Sequence, residues 1–344
     1  MKPESKLKIQ NIILISTITM VFGLLYNFFF YPHTFVEFLE AGSIGIIMGI
    51  LIGVLEEFVF KKAFHRISSL SVTLIRAVVY SLLISLILCL VLSIELAFLQ
   101  SISYIEAAIQ YLKSGLFQRD FLFSLAFIII VLFLLQIILF IGKANFFRLF
   151  FGRYRQPREV ARIFMFLDLK GSTSIAEKLS NKNYSAFIRD FFYDISDAII
   201  LYKGEIYQYA GDEIIVTWPI RKKNTNCMDC FFKMEEIITQ KKGVYQSKYG
   251  VVPEFKAGIH AGQVIVTTVG KQKKEIVYHG DVLNTTARIE GKCNELNQRL
   301  LVSEDVLKII QLKKGFSVKE KGKIGLKGKS QKLSLYGIQV ANSF

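Results

Sequence analysis

The sequence predicts an α-helical membrane domain of four transmembrane helices, followed by an α+β domain with a ferredoxin-like centre. Three observations carry that expectation. Charge divides near residue 142: the first 142 residues hold 9 Lys/Arg against 8 Asp/Glu, and the rest hold 34 against 20. A mean hydropathy of +0.40 in a chain that is 21% charged requires a very apolar N-terminal part. Beyond residue 160, strand-like and helix-like runs alternate as β-α-α-β-β-α-β, the order of an α+β layer structure. The expected division is a transmembrane domain at 1–142, a basic, aromatic juxtamembrane connector at 143–160 and an α+β domain at 161–344.

Four apolar runs reach the length that crosses a hydrocarbon core, about 20 helical residues: Ile9–Tyr31, Ala41–Phe60, Leu74–Leu99 and Phe121–Gly142. The first is too long for a signal-peptide core and no small-residue cleavage site follows it, so it reads as a retained span. On the second, Gly42, Gly45, Gly49 and Gly53 recur at helical spacing, which lets a neighbouring helix approach closely.

Flanking charge orients these spans. Lys2, Lys6 and Lys8 precede the first; Lys61, Lys62, His65 and Arg66 follow the second. Lys143, Arg148, Arg153, Arg155 and Arg158 follow the fourth, while loop 32–40 has no Lys or Arg and 100–120 has just Lys113 and Arg119. Both termini are expected on the cytoplasmic side of the inner (plasma) membrane. The basic excess beside a bilayer suits the anionic leaflet and a polyphosphate substrate, and no nucleic-acid partner is expected. Glu56, Glu57 and Glu95 near span ends read as interfacial, solvated groups rather than an ion or sensing site. The lone CxxC of Cys227 and Cys230 lacks a second ligand pair at zinc spacing, so reduced thiols are the expectation.

In the α+β part, Arg162–Leu167 reads as a central strand running into Asp168-Leu-Lys-Gly-Ser-Thr173. Helices are expected at Ser174–Leu179 and Tyr184–Tyr202, the latter with apolar residues at i+4 steps. Strand-like Glu205–Tyr209 and Ile214–Trp218 flank Ala210-Gly-Asp-Glu213, a hairpin signature. A helix at about Asn226–Tyr249, strands Phe255–Ile259, Val264–Val269 and Glu275–Tyr278, and a helix from Val282 to about Leu296 follow. Residues 313–332, rich in Lys and Gly, read as a polar, mobile segment.

A strand ending in Asp168 and a hairpin tip carrying Asp212 open at the same edge of such a sheet. Two neighbouring carboxylates repel unless a cation lies between them. Oxygen ligands without His or Cys suit Mg²⁺ or Mn²⁺, which takes one or two carboxylates plus substrate phosphates. Gly171, Ser172 and Thr173 at a helix start offer unpaired backbone N–H groups to phosphate. Taken singly, each is equally a solvated turn residue or an ordinary cap.

Five stretches in order, "FMFLDLKGST", "YQYAGDEIIVTW", "FKAGIHAGQVIVTTVG", "HGDVLNTTARIE" and "LKGKSQKLSLYGI", resemble the class III nucleotide cyclase catalytic domain over about residues 160–340. With the spans, the chain resembles the membrane-anchored bacterial adenylate cyclases. The resemblance implies that Asp168, Asp212 and the Leu169 carbonyl hold two divalent ions, Mg²⁺ or Mn²⁺. It implies that Asn284 orients the ribose and Arg288, at i+4 on the same helix face, stabilises charge at the α-phosphate. Gly171, Ser172, Thr173 and Lys327 would hold the triphosphate of ATP. Family sites form between two domains; one domain carrying both residue sets implies a homodimer. Glu213 reads as a turn residue and His260 as a packing residue.

The base-reading positions depart from the family. Adenylate cyclases commonly pair a Lys with an Asp or Thr there; this chain has Gln208 and Val277. A glutamine amide can serve adenine or, flipped, another base, so GTP or a pyrimidine triphosphate stands as the alternative to ATP. A catalytically degenerate nucleotide-binding sensor module is a further alternative. A GGDEF-type enzyme would need a different hairpin sequence from Ala210–Ile214.

Overall fold

The computed structural model describes residues 3–30, 34–60, 69–142, 146, 148, 152, 154, 156–220, 225–310, 315–325 and 332–340. Two units divide the chain, Met1–Ile141 and Gly142–Phe344. The basic residues 61, 62, 65 and 66, the connector's Lys143, Arg153 and Arg155, and Lys327 lie outside the described residues.

In the first unit the long helices are α1 (Pro3–Phe30), α2 (Phe35–Leu55), α3 (Ser69–Gln100) and α5 (Gly115–Ile141). Each holds a stretch long and apolar enough to cross a membrane. The glycines of α2 do what their spacing suggests: a Cβ on Gly45 would stand 2.6 Å from the Thr19 carbonyl, and one on Gly49 2.3 Å from the Ser16 Cα. Backbone-to-backbone contact of this kind replaces the hydrophobic drive that lipid removes.

Two expectations for this unit are corrected. The loop at 100–120 contains a further amphipathic helix, α4 (Tyr104–Lys113), whose Tyr111 hydroxyl donates to the buried Asp120 at 3.0 Å. Glu57 is buried and Glu56 only partly exposed: α2 runs on as a π-helical turn, Glu56–Phe60. There Glu57 is 5% exposed and accepts from Asn11 Nδ2 at 2.8 Å. Glu56 accepts from the Tyr80 hydroxyl at 2.6 Å and pairs with Arg76 at 3.2 Å. Partners on neighbouring helices replace the water that span-end position alone suggests.

The second unit holds an eight-stranded sheet ordered β2-β3-β1-β4-β6-β8-β7, with β5 paired to β4. The strands are β1 (Arg158–Leu169), β2 (Glu205–Ala210), β3 (Glu213–Pro219), β4 (Phe255–Val269), β5 (Glu275–His279), β6 (Leu300–Ser303), β7 (Phe316–Gly325) and β8 (Lys332–Val340). The helices are α6 (Ser172–Lys178), α7 (Asn181–Leu201), α8 (Asn226–Gln240), α9 (Lys242–Tyr249), α10 (Asp281–Glu295) and α11 (Glu304–Ile309). Strand alternation sorts β1 onto two faces. Ile163, Met165, Leu167 and Leu169 pack with Phe187, Phe191 and Phe231 of α7 and α8. Phe164 and Phe166 pack with Ile215, Tyr278 and Val282 on the α10 side.

The structure joins Phe255–Ile259 and Val264–Val269 into one strand of 15 residues, and splits the helix expected at Asn226–Tyr249 at Lys241. The glycines of "GIHAG" are places of close approach rather than a turn. A Cβ on Gly258 would meet the Glu290 amide nitrogen at 2.4 Å, and one on Gly262 the Val282 side chain at 2.7 Å. Strand glycines of this kind admit a helix onto the sheet. Part of the polar segment at 313–332 is likewise ordered, as β7 paired with β8.

Candidate active site

β1 and β3 run antiparallel with Asp168 opposite Glu213, and β1 and β4 with Asp168 opposite Lys256. The row Glu213–Asp168–Lys256 thus crosses three strands on one face. Asp212 joins it from the hairpin tip, where Ala210 pairs with Glu213 across a two-residue turn. Gly211 takes φ +65, a conformation that costs a Cβ-bearing residue and that two-residue hairpins demand.

The expected pair of carboxylates is therefore brought together. Asp168 is pushed above its ordinary pKa by burial first; Lys256 opposes this, and the adjoining Asp212 carboxylate adds to it. Glu213 is pushed up to about 7 by burial, then by Glu290, Asp168 and Asp212. Its Oε1 is buried with no hydrogen-bond partner. Glu213 accordingly faces the carboxylate cluster, whereas turn geometry alone suggested a solvated side chain. Excess negative charge around orphaned carboxylate oxygen is a donor set for a hard cation. Among the described residues no three His, Cys, Asp or Glu side chains are grouped so as to hold an ion by themselves.

β1 hands over to α6 through Gly171, the N-cap at φ +69. The Tyr184 hydroxyl lies near this start of α6: burial raises its pKa, Asp212 and Asp168 add to the rise, and Ser172 opposes it. Thr173 is exposed, while Leu169 packs its side chain in the core and has only its backbone to offer. Sequence reasoning passed over Tyr184, Lys256 and Glu290. The strand pairing of Lys256 and the Gly258 contact with Glu290 are long-range facts, and only the hairpin signal at Glu213 was local.

Asn284 and Arg288 project from the exposed face of α10. No ion pair or hydrogen bond joins them to Asp168 or Asp212 within the described residues of one chain. Arg288 borders instead a groove with Lys292, Lys323 and Gly325. Gln208 is exposed on β2 and Val277 is half-buried on β5, opposite Thr267. His260 is buried with Nδ1 2.8 Å from Ser303 Oγ, a packing role. Cys227 and Cys230 lie in the core, and burial pushes the Cys227 thiol up to about 12. These thiols stay protonated and inert.

An α+β sheet with paired carboxylates at a strand end and hairpin tip, and an Asn/Arg helix beside it, has the layout of the class III nucleotide cyclases. A family model, the adenylate and guanylate cyclase catalytic domain, matches residues 155–339, and the chain belongs to that family. Adenylate cyclase 2 of Rhizobium meliloti (strain 1021) is 34% identical over 210 residues, covering 60% of this chain and 58% of that protein. The adenylate cyclase of Anabaena cylindrica is 27% identical over 188 residues, covering 51% and 36%. The chain thus spans less than two thirds of the length of these relatives. Among solved structures, the adenylyl cyclase CyaB from P. aeruginosa is 18% identical, covers 55% of this chain and 98% of that one, and has a TM-score of 0.47.

Proposed function

We propose that this chain is a membrane-bound adenylate cyclase that converts ATP to 3′,5′-cyclic AMP and pyrophosphate at sites shared across a homodimer. The observation that carries the reading is the adjoining of Asp168 and Asp212 beside Glu213, a cluster whose charge lacks enough cations. Family membership and relatives named as adenylate cyclases support the choice of reaction and of ATP.

Mg²⁺ or Mn²⁺ held by Asp168, Asp212 and the Leu169 carbonyl would activate the ribose 3′-hydroxyl and neutralise the β- and γ-phosphates. The remaining work falls to the protein, which in phosphoryl chemistry means positioning and electrostatics. Backbone N–H groups at Gly171–Thr173 and the Lys327 ammonium hold the triphosphate. From the second protomer, Asn284 orients the ribose and Arg288 stabilises charge on the α-phosphate. The exposure of Asn284 and Arg288 in one chain supports a site completed by a second copy. The four long apolar helices support a bilayer location, and the flanking Lys and Arg residues favour both termini on the cytoplasmic side.

Gln208 and Val277, in place of the family's usual pair, favour a second reading, cyclisation of GTP or a pyrimidine triphosphate. Full-length protein in detergent, offered each of the four NTPs with Mg²⁺ or Mn²⁺, tests both. Cyclic AMP as the dominant product is the expected result. A preference for another base overturns the adenylate assignment, and nucleotide binding without cyclisation overturns the enzyme.

A further inference from the structure

The turn between β4 and β5 is strongly basic. From Gly270 to Glu275 it reads Gly-Lys-Gln-Lys-Lys-Glu, three lysines against one acid. Lys271, Gln272, Lys273 and Lys274 are all exposed. The Lys273 side chain is 83% exposed even while its Nζ pairs with Glu275 at 2.5 Å. The turn itself needs none of this charge, since Gly270 supplies the left-handed residue at φ +93. Exposed lysines at a turn are ordinarily solvating groups. These differ in what the turn is tied to.

It is tied to the stretch of chain that leaves the last apolar helix. The Thr268 amide donates to the Tyr154 carbonyl at 2.9 Å. The Arg148 guanidinium lies over the Tyr154 ring, 5.8 Å from its centroid, and holds Glu205 through two nitrogens. Arg148 stands six residues beyond Gly142, where the fourth apolar run ends. Six residues reach at most about 20 Å, so the contacts around Arg148 and Tyr154 are tethered close to the end of a span. The three lysines follow Thr268 directly along the chain. A leaflet with anionic lipids attracts lysines held near its surface, over a Debye length of about 10 Å.

We propose that the β4–β5 turn docks on an anionic bilayer surface through Lys271, Lys273 and Lys274, with the headgroup phosphates of acidic lipids as its ligands. The proposal rests on reading the four apolar helices as membrane spans, not on the cyclase reading. It gives the second unit a point of attachment to the membrane besides the connector. Charge complementarity selects the partner: flexible ammonium groups on an open turn suit a diffuse field of phosphates better than one shaped ligand. Docking holds the leading end of β5, whose third residue is Val277. The lipid surface thereby bears on a strand that carries an expected base-reading position.

A reporter in the turn tests this. Cys89→Ser leaves Cys227, Cys230 and Cys293, all buried, and Gln272→Cys adds an exposed thiol for a bimane dye. The full-length protein is set in nanodiscs of phosphatidylcholine, with or without phosphatidylglycerol, doped with a lipid whose headgroup bears a nitroxide. Quenching should be about fivefold or more stronger in the phosphatidylglycerol discs, as expected of three lysines at an anionic surface. The difference should vanish in high salt, where the Debye length falls to about 3 Å. Lys271→Gln, Lys273→Gln and Lys274→Gln together should bring quenching down to the phosphatidylcholine level. A matched triple of Lys182→Gln, Lys242→Gln and Lys308→Gln removes the same charge from exposed residues elsewhere. It should leave quenching within about twofold of the parent.

Equal quenching in the two lipids, or a difference that survives high salt, overturns the proposal. Equal losses in the two triples also overturn it, because they assign the effect to net charge. So does excimer emission from a pyrene at the same thiol in either lipid, which assigns the turn to a contact with a second copy. A chain that does not enter the discs overturns the membrane reading, and the proposal with it. The readout is position, so it stands whether or not the chain cyclises nucleotide.

Discussion

Asp168 and Glu213 stand directly opposite each other on antiparallel strands, two carboxylates at a position where like charges destabilise a sheet. Burial raises both above their ordinary values, with Asp212 adding to the rise at Asp168 and Glu290, Asp168 and Asp212 adding to it at Glu213. Strands chosen for stability alone would place a Thr, a Val or an opposite charge there. The same strands are otherwise densely apolar, with Leu167 and Ile214 fully buried beside the pair, so the apolar flanks hold the acidic row against its own repulsion.

Removing one of these charges should therefore stabilise the metal-free protein while abolishing its chemistry. Asp212 has no ion pair among the described residues, so Asp212→Asn deletes repulsion and little else. The expected gain is about 1 kcal/mol, or ~2–4 °C in Tm for a domain of this size. Cyclase turnover should fall by about a thousandfold or more, as loss of a transition-state electrostatic group does. Melting followed by fluorescence of Trp218, the single tryptophan and a core residue of this unit, reports on this part of the chain. A lower Tm without Mn²⁺ would contradict the repulsion argument.

Much of this was legible in the sequence because it is local. The hairpin around Gly211, the strand running into Asp168 and the i, i+4 placement of Asn284 and Arg288 each follow from a few adjacent residues. The glycines of α2 likewise announced the helix that packs on them. What stayed hidden depends on register. Lys256 sits in an apolar stretch and reads as an ordinary charge at a strand edge until β4 is aligned with β1. Gly258 reads as part of a strand and Gly262 as part of the break after it until α10 is placed over them. Glu57 was misread for the same reason, since its partner Asn11 lies 46 residues away.

Shared sites make a genetic test possible. A chain with Asp168→Ala retains Asn284 and Arg288, and a chain with Arg288→Ala retains both metal carboxylates. Each homodimer should be inactive. Co-expressed at equal levels they should recover roughly a quarter of parental activity, since half of the dimers are mixed and each mixed dimer has one intact site of two. The assay is cyclic-nucleotide production in membranes with both chains quantified. No recovery from folded, co-purifying chains would place both residue sets in one protomer's site.

Base choice is the second place where a small change should speak. Gln208 is exposed and Val277 half-buried, so neither offers the fixed donor and acceptor pair that a purine edge rewards. Gln208→Lys with Val277→Asp installs the usual family pair. The ratio of kcat/KM for ATP over GTP should rise by about tenfold or more, in line with what a hydrogen-bonding site gains over an ambiguous one. Competition between the two nucleotides in one reaction measures that ratio directly. An unchanged ratio would locate base reading on other residues.

The connector's grip on this unit should be pH-dependent, with a sign that can be worked out. Arg148 donates to Glu205 through two nitrogens at 2.8 and 2.9 Å, and Arg162 adds a third bond at 3.1 Å. Burial pushes the Glu205 carboxyl up, but the two guanidinium groups outweigh it and hold the group below its ordinary 4.5. A depressed folded value means that the ionised form is stabilised by folding. This contribution is present in full above about pH 4.5, and it is lost as pH falls through the folded value. Glu205→Gln should therefore lower the Trp218-monitored Tm most at pH 7, by the equivalent of about 1–3 kcal/mol for charge-assisted bonds. The gap to the parent should close as pH drops below 4.5. Bidentate geometry makes Arg148→Lys a partial loss rather than a neutral exchange. A gap that persists unchanged at low pH would mean that Glu205 acts through packing and not through its charge.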